Sequence, residues 1–152
     1  MHTLARQRDQ AQILGRVRGL RPECARRWGR MSIGQMVCHV GDALRMALGQ
    51  HPVRLASGPL QRTLVKWTAL YLPLPWPAGI PTSPEIDQEQ GGTRPTDFAA
   101  DLARVEALLQ QLTREAASLD GRRHPIFGRL TRDGWLRWAY LHTDHHLRQF
   151  GA

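Results

Sequence analysis

Cysteine is scarce in this chain. Cys24 and Cys38 are the only two among 152 residues, and neither sits in a CxxC spacing. Such a pair, in a chain with no apolar leader, reads as two reduced thiols rather than a disulfide. The opening stretch, MHTLARQRDQ, is polar throughout and lacks the apolar region of a signal peptide. Nowhere are there the roughly eighteen consecutive apolar residues that a membrane span needs. These absences predict a cytoplasmic protein with no membrane partner. Lysine is nearly missing as well: Lys66 is the only one, so the net charge of +8 rests on arginine. The arginines are scattered, with Arg16, Arg18 and Arg21 in one region, Arg26, Arg27 and Arg30 in another, and Arg122 and Arg123 later. Without a long basic block or interleaved aromatics, a specific nucleic-acid partner is not expected. Strand-like alternation, internal repeats and low-complexity tails are also lacking. No serine or cysteine triad and no carboxylate pair suggests hydrolytic chemistry of the familiar kinds.

What is present is helical periodicity. A chain of 152 residues, 41% of them hydrophobic, suits one domain spanning residues 1–152 and can bury a core without crosslinks. Four substantial helices are expected. The first covers about residues 3–19, with Leu4, Ala11, Leu14 and Val17 as its apolar line, and GLRPE ends it. The second opens on a capping box, Ser32 with Gln35 three residues on. It carries Met36, Val40, Ala43, Leu44 and Ala47 at helical spacing and stops near Gly49. The third starts at Thr96 as N-cap, with Asp97 in the first turn, and turns Phe98, Leu102, Val105, Leu109 and Leu112 inward. The fourth runs from Thr131, its N-cap, to Phe150, with Gly151 at its end. Between the second and third, a short helix is expected around residues 60–71. LPLPWPAGIPTSPEID then reads as an extended, proline-rich connection with Trp76 as an anchor. The pattern predicts an all-α four-helix bundle with one long connection.

The sequence HTDHH raises the functional question. On the fourth helix Trp135, Trp138, Ala139, His142, His146 and Gln149 recur at steps of three or four, so the two histidines continue a stripe that the tryptophans must bury. Imidazoles four residues apart stack on one face and can converge on one ion. His145 lies at the edge of that line. His39 sits beside the apolar stripe of the second helix, where a facing helix brings it to the pair. Three neutral imidazoles would make an open three-ligand site suited to a divalent metal, and zinc, nickel and ferrous iron all accept that set. The plainer alternative is a histidine-rich helix end without an ion. Asp42 reads either as a carboxylate orienting an imidazole or as a solvated residue. Gln149 reads either as a group facing the site or as a helix-end hydrogen bond. Cys38 is expected to be a small core residue, Asp144 to face away, and His2 and His51 to be exposed. His124 reads as a turn residue or a rim residue, and Trp67, Tyr71 and Trp76 as pocket roof or packing.

Two stretches carry a resemblance. WGRMSIGQMVCHVGDALRMALG holds a QM-x-x-H segment, and HPIFGRLTRDGWLRWAYLHTDHHLRQFG ends in an HxxxH-bearing helix. Together they resemble the DinB/YfiT-like metalloenzymes, in a bacterial branch of uncharacterised function. The resemblance implies an up-down-down-up four-helix bundle, often dimeric. It also implies three histidine ligands, matching His39, His142 and His146 here. The residue positions themselves add Asp42, His145 and Gln149 as candidate surrounding or substrate-facing groups. Relatives so resembled include transferases and an isomerase that use low-molecular-weight thiols. The expectation is therefore a metal-dependent enzyme that activates a thiol or water for a small-molecule substrate, by thiol transfer or hydrolysis. The competing expectation is a stress-response module that binds a metal or small ligand without turnover.

Overall fold

The computed structural model describes residues 1–55, 58–72 and 74–152. Pro73, one of the prolines of the expected extended connection, lies outside the described residues. The chain is all-α. Its described residues form helices α1 (Gln7–Gly19), α2 (Ile33–Ala47), α3 (Lys66–Tyr71), α4 (Phe98–Arg114) and α5 (Arg132–Gln149), with one two-residue ladder. No helix among the described residues is long and apolar enough to cross a membrane.

The capping chemistry expected for α2 is present in full. Gln35 N donates to Ser32 Oγ at 3.2 Å and Ser32 N donates to Gln35 Oε1 at 2.7 Å. Thr131 caps α5 by accepting from Gly134 N at 3.1 Å. The start of α4 differs by one residue from expectation. Asp97 is the cap, accepting from Ala100 N at 2.7 Å, and the Thr96 amide before it donates to Asp101 Oδ2 at 3.1 Å. The first helix starts at Gln7 rather than near residue 3. The buried Asp9 carboxylate accepts from Thr3 N at 2.9 Å and meets His2 Nδ1 at 2.9 Å, which folds the preceding residues into a turn. The inward line of α1 is Ile13 and Val17; Ala11, expected to face the core, is exposed.

The four long helices touch pairwise: α1 with α4 and α5, and α2 with α4 and α5. Burial on α2 is continuous from Met36 to Leu44, and on α5 from Gly134 to Tyr140. These two helices are covered on several sides, which a single stripe does not anticipate. The connection after α2 contains a π-helical turn (Gln61–Val65), α3 and a 3₁₀ turn (Pro84–Ile86). Contrary to the expectation of no strands, Arg123–His124 (β1) and Gly128–Arg129 (β2) pair antiparallel. Gly128 adopts φ +67°, a left-handed conformation that glycine takes without strain.

Candidate metal centre

Contact between α2 and α5 brings His39 to His142 and His146. One ring nitrogen from each lies within 4.8 Å of the other two, so this group can hold a metal ion. His39 Nε2 and His142 Nε2 are 3.3 Å apart. A tetrahedral ion with metal–nitrogen bonds of ~2.0–2.1 Å has ligand atoms ~3.3–3.4 Å apart, so this edge already has the right length.

The hydrogen bonds around the rings select which nitrogens face inward. His39 Nδ1 donates to Ile86 O at 2.9 Å, leaving Nε2 bare in the neutral ring. Gln149 Nε2 donates to Trp28 O at 3.0 Å, which turns Oε1 of the same amide toward His146. His146 Nδ1 donates to that Oε1 at 3.0 Å. Ligating histidines characteristically use the second nitrogen in this way. His142 stacks on Trp138 with ring centroids 5.0 Å apart. His39 and His146 are buried, whereas His142 is half-buried and turns part of its ring to the adjoining cavity.

Burial keeps all three imidazoles neutral. It lowers the pKa of His39, opposed by the Ile86 carbonyl and the Asp42 charge. Burial and then the neighbouring imidazoles press His142 and His146 well below the ordinary histidine value. Neutral rings are the form that binds a metal, and the bonds at Nδ1 leave the Nε2 lone pairs of His39 and His146 free for one. Among the described residues, no other group of three or more histidine, cysteine or acidic side chains has this convergence.

The other residues singled out fall in several places. Asp42 is buried, yet it orients no imidazole of the cluster. It accepts from Thr93 N and Thr93 Oγ1, each at 2.7 Å, and from Gln88 Nε2 at 3.1 Å. It thus clamps the loop whose Ile86 carbonyl holds His39. Gln149 contacts His146 directly. His145 packs on His146 with centroids 5.1 Å apart, and its pKa falls through burial and the Arg148 charge. Cys38 is buried against Asp101, and burial first, then that carboxylate, pushes its thiol up to about 12. A thiol so held is no thiolate ligand. Asp144 faces away, paired with Arg16 at 2.6 Å and Arg148 at 2.9 Å. His2 is mostly exposed, as expected. His51 is only half-buried and bonds Glu85 O through Nε2 at 2.9 Å.

His124 combines both of its expected roles. Its Nδ1 accepts from Ile126 N at 3.1 Å and Phe127 N at 3.3 Å, making the turn, and its ring lines the cavity. Burial drives its pKa down to about 3.

The histidine cluster opens on a cavity of about 910 Å³. Ile126, Phe127 and Trp138 form one wall, and the connection after α2 supplies the roof. Trp76 stands over the cluster, its ring 6.2 Å from both His142 and His145, and its indole donates to Ala69 O at 2.8 Å. Trp67 and Tyr71, expected as possible roof, are largely turned outward. Trp28, Ile86 and Gln88 escaped the sequence reading. Trp28 gave one weak signal, a lone tryptophan just ahead of a capped helix. A backbone carbonyl such as that of Ile86 gives none.

Compared with models of known families, residues 5–152 match the family described as "Protein of unknown function (DUF1569)". The chain belongs to this family. This corrects the assignment to the DinB/YfiT-like group, which no family match supports. QM-x-x-H and HxxxH are short patterns, and HxxxH recurs wherever two imidazoles share one helix face, so they specify a constellation better than an ancestry. No curated protein and no solved structure matches the DUF1569 chain significantly.

Proposed function

We propose that this DUF1569 protein is a metal-dependent enzyme acting on a small molecule, by thiol transfer or hydrolysis. The observation that carries the reading is the convergence of His39, His142 and His146 at the end of a large cavity. A divalent ion (zinc, nickel or ferrous iron) held by these three imidazoles would lower the pKa of a thiol or water and so supply a nucleophile at neutral pH. The chain's own residues do the rest. Ile86 O and Gln149 fix the rings of His39 and His146, while Trp138 braces His142 by stacking. Trp76 and the roof limit water, which strengthens every electrostatic interaction inside. A low-molecular-weight thiol fits the reading as co-substrate, because the buried Cys38 thiol cannot serve as nucleophile.

For the helices we infer an up-down-down-up four-helix bundle, supported by the pairwise packing of α1, α2, α4 and α5. A homodimer belongs to the same proposal, and the mass of the protein in solution tests it.

A second reading, a metal- or ligand-binding stress-response module without turnover, is favoured by one observation. The carboxylates nearest the cluster are engaged elsewhere: Asp42 by Thr93 and Gln88, Asp87 by Arg30 at 3.1 Å and Gln90 at 3.1 Å. Neither is free to act as a general base.

The deciding experiment is metal content by mass spectrometry on untagged protein, beside a His142→Ala/His146→Ala variant. The expected outcome is about one metal per chain in the wild type and none in the variant. Turnover of a thiol with an electrophile, lost on chelation, then separates the enzyme from the binding module. A wild type that holds no metal after loading with zinc, nickel or ferrous iron sinks both metal readings.

A further inference from the structure

Apart from Met1, every large apolar side chain that stands exposed among the described residues lies between residues 55 and 80, in the connection after α2. The helical run through the π-turn and α3 orders them. Leu60, Leu64, Trp67 and Tyr71 follow one another at steps of four, three and four, which puts them along one side. Leu70, off that line, is the side chain turned into the core. The outward line is a stripe: Leu60, Leu64 and Trp67 are each more than half exposed. Apolar surface gathered in this way marks a contact site, whereas single exposed side chains do not.

Charge is just as unevenly placed. Residues 43–84 and 121–132 hold eight bases and no acidic side chain. The rest of the chain holds thirteen bases and thirteen acids, so the whole net charge of +8 comes from these two stretches. The fold brings them together. β2 packs beside the π-turn, the Arg62 stem lies over Gly128, and Lys66 Nζ reaches Arg129 O at 2.9 Å. Arg45, Arg54 and Arg132 are offset by Asp42, Glu85 and Asp133. Lys66, Arg123 and Arg129 carry surplus charge beside the stripe. Arg123 and Arg129 are exposed and stand directly opposite each other in the ladder. Like charges in that register repel, and an anionic surface relieves the repulsion.

We propose that this face, the apolar stripe with the basic hairpin at its border, docks on an anionic lipid surface. The leucines enter the edge of the acyl region, Trp67 and Tyr71 sit at head-group depth, and the bases meet the anionic head groups. The lack of a spanning helix among the described residues bears on crossing a bilayer, not on lying against one. Two other occupants fit less well. A second copy related by a two-fold axis would set two positive faces against each other. A nucleic-acid backbone would leave the leucines uncovered. The proposal is independent of the metal centre.

The test is co-sedimentation of the full chain, at physiological salt, with phosphatidylcholine vesicles that contain either no phosphatidylserine or about one-third of it. The wild type is expected to sediment with the mixed vesicles and to stay in solution with phosphatidylcholine alone. Arg123→Gln/Arg129→Gln should weaken binding about 25-fold, roughly fivefold for each base removed. Leu64→Ala/Trp67→Ala should weaken it about tenfold or more. All four side chains are exposed, and circular dichroism checks that each variant is folded. No sedimentation of the wild type with the mixed vesicles, or equal sedimentation with both kinds, overturns the proposal without recourse to a variant. A tighter hold on a DNA duplex than on the vesicles overturns it in favour of a nucleic acid. A wild-type dimer that Leu64→Ala/Trp67→Ala turns into a monomer overturns it in favour of a second copy.

Discussion

Gln149 reaches two parts of the molecule at once, its nitrogen on the Trp28 carbonyl and its oxygen on His146 Nδ1. It fixes the tautomer of one ligand through an amide that has no freedom to flip. Gln149→Leu should therefore lower metal affinity by about 10–100-fold with the fold intact, read by competition against a chromogenic chelator. His124 gives a second prediction at this scale. Its folded pKa of about 3 lies below the ordinary 6.5. A base whose folded pKa is lowered is fully accommodated above its unfolded value, and loses stability as pH falls, because only the unfolded chain takes up the proton. The metal-free protein should lose stability progressively from about pH 6.5 toward pH 3, with this residue accounting for a term on the order of 5 kcal/mol. Thermal melts across that range check the slope, and His124→Asn should flatten it. His39, His142 and His146 act in the same direction, so metal loading should also shift the slope.

At the scale of elements, the outcome depended on how local the signal was. The α2 capping box and the Thr131 cap involve residues three apart, and both could be read directly from the chain. Ser32→Ala should cost about 1 kcal/mol, seen as a lower melting temperature. The histidine stripe of α5 was legible for the same reason: helical spacing alone puts His142 and His146 on the side that Trp135 and Trp138 must bury. Other features depend on partners far along the chain. Thr96 yields the capping place to Asp97, whose carboxylate takes the Ala100 amide while Thr96 is tied to Asp101. α1 starts late because Asp9 gathers the residues before it. Asp42 looked like a neighbour for His39, but Thr93, distant in sequence, claims it. The strand pair at His124 is too short to produce alternation. Its turn is held by a ring nitrogen accepting from two amides, which no propensity anticipates.

Across the whole molecule, the roof over the cavity is attached at few points. Leu70 is its one fully buried side chain on α3. Arg137 donates from α5 to the Leu70 carbonyl, and Lys66 Nζ donates to Arg129 O at 2.9 Å. Leu60, Leu64, Trp67 and Leu74, by contrast, remain exposed. Leu70→Ala removes the central attachment and should cost about 2–5 kcal/mol if the roof unfolds with the body. A smaller global loss, with fast amide exchange confined to residues 60–72, would instead mark the roof as a separately opening unit.

Trp138 stacks on His142 and Trp76 stands over it, so two indoles border the place an ion would occupy. Indole emission responds to whatever lies in van der Waals range, and open-shell ions quench it where closed-shell zinc does not. The packing that braces the ligands therefore equips the protein with its own optical gauge. Intrinsic fluorescence would distinguish nickel or ferrous iron from zinc in the native chain, with no label added.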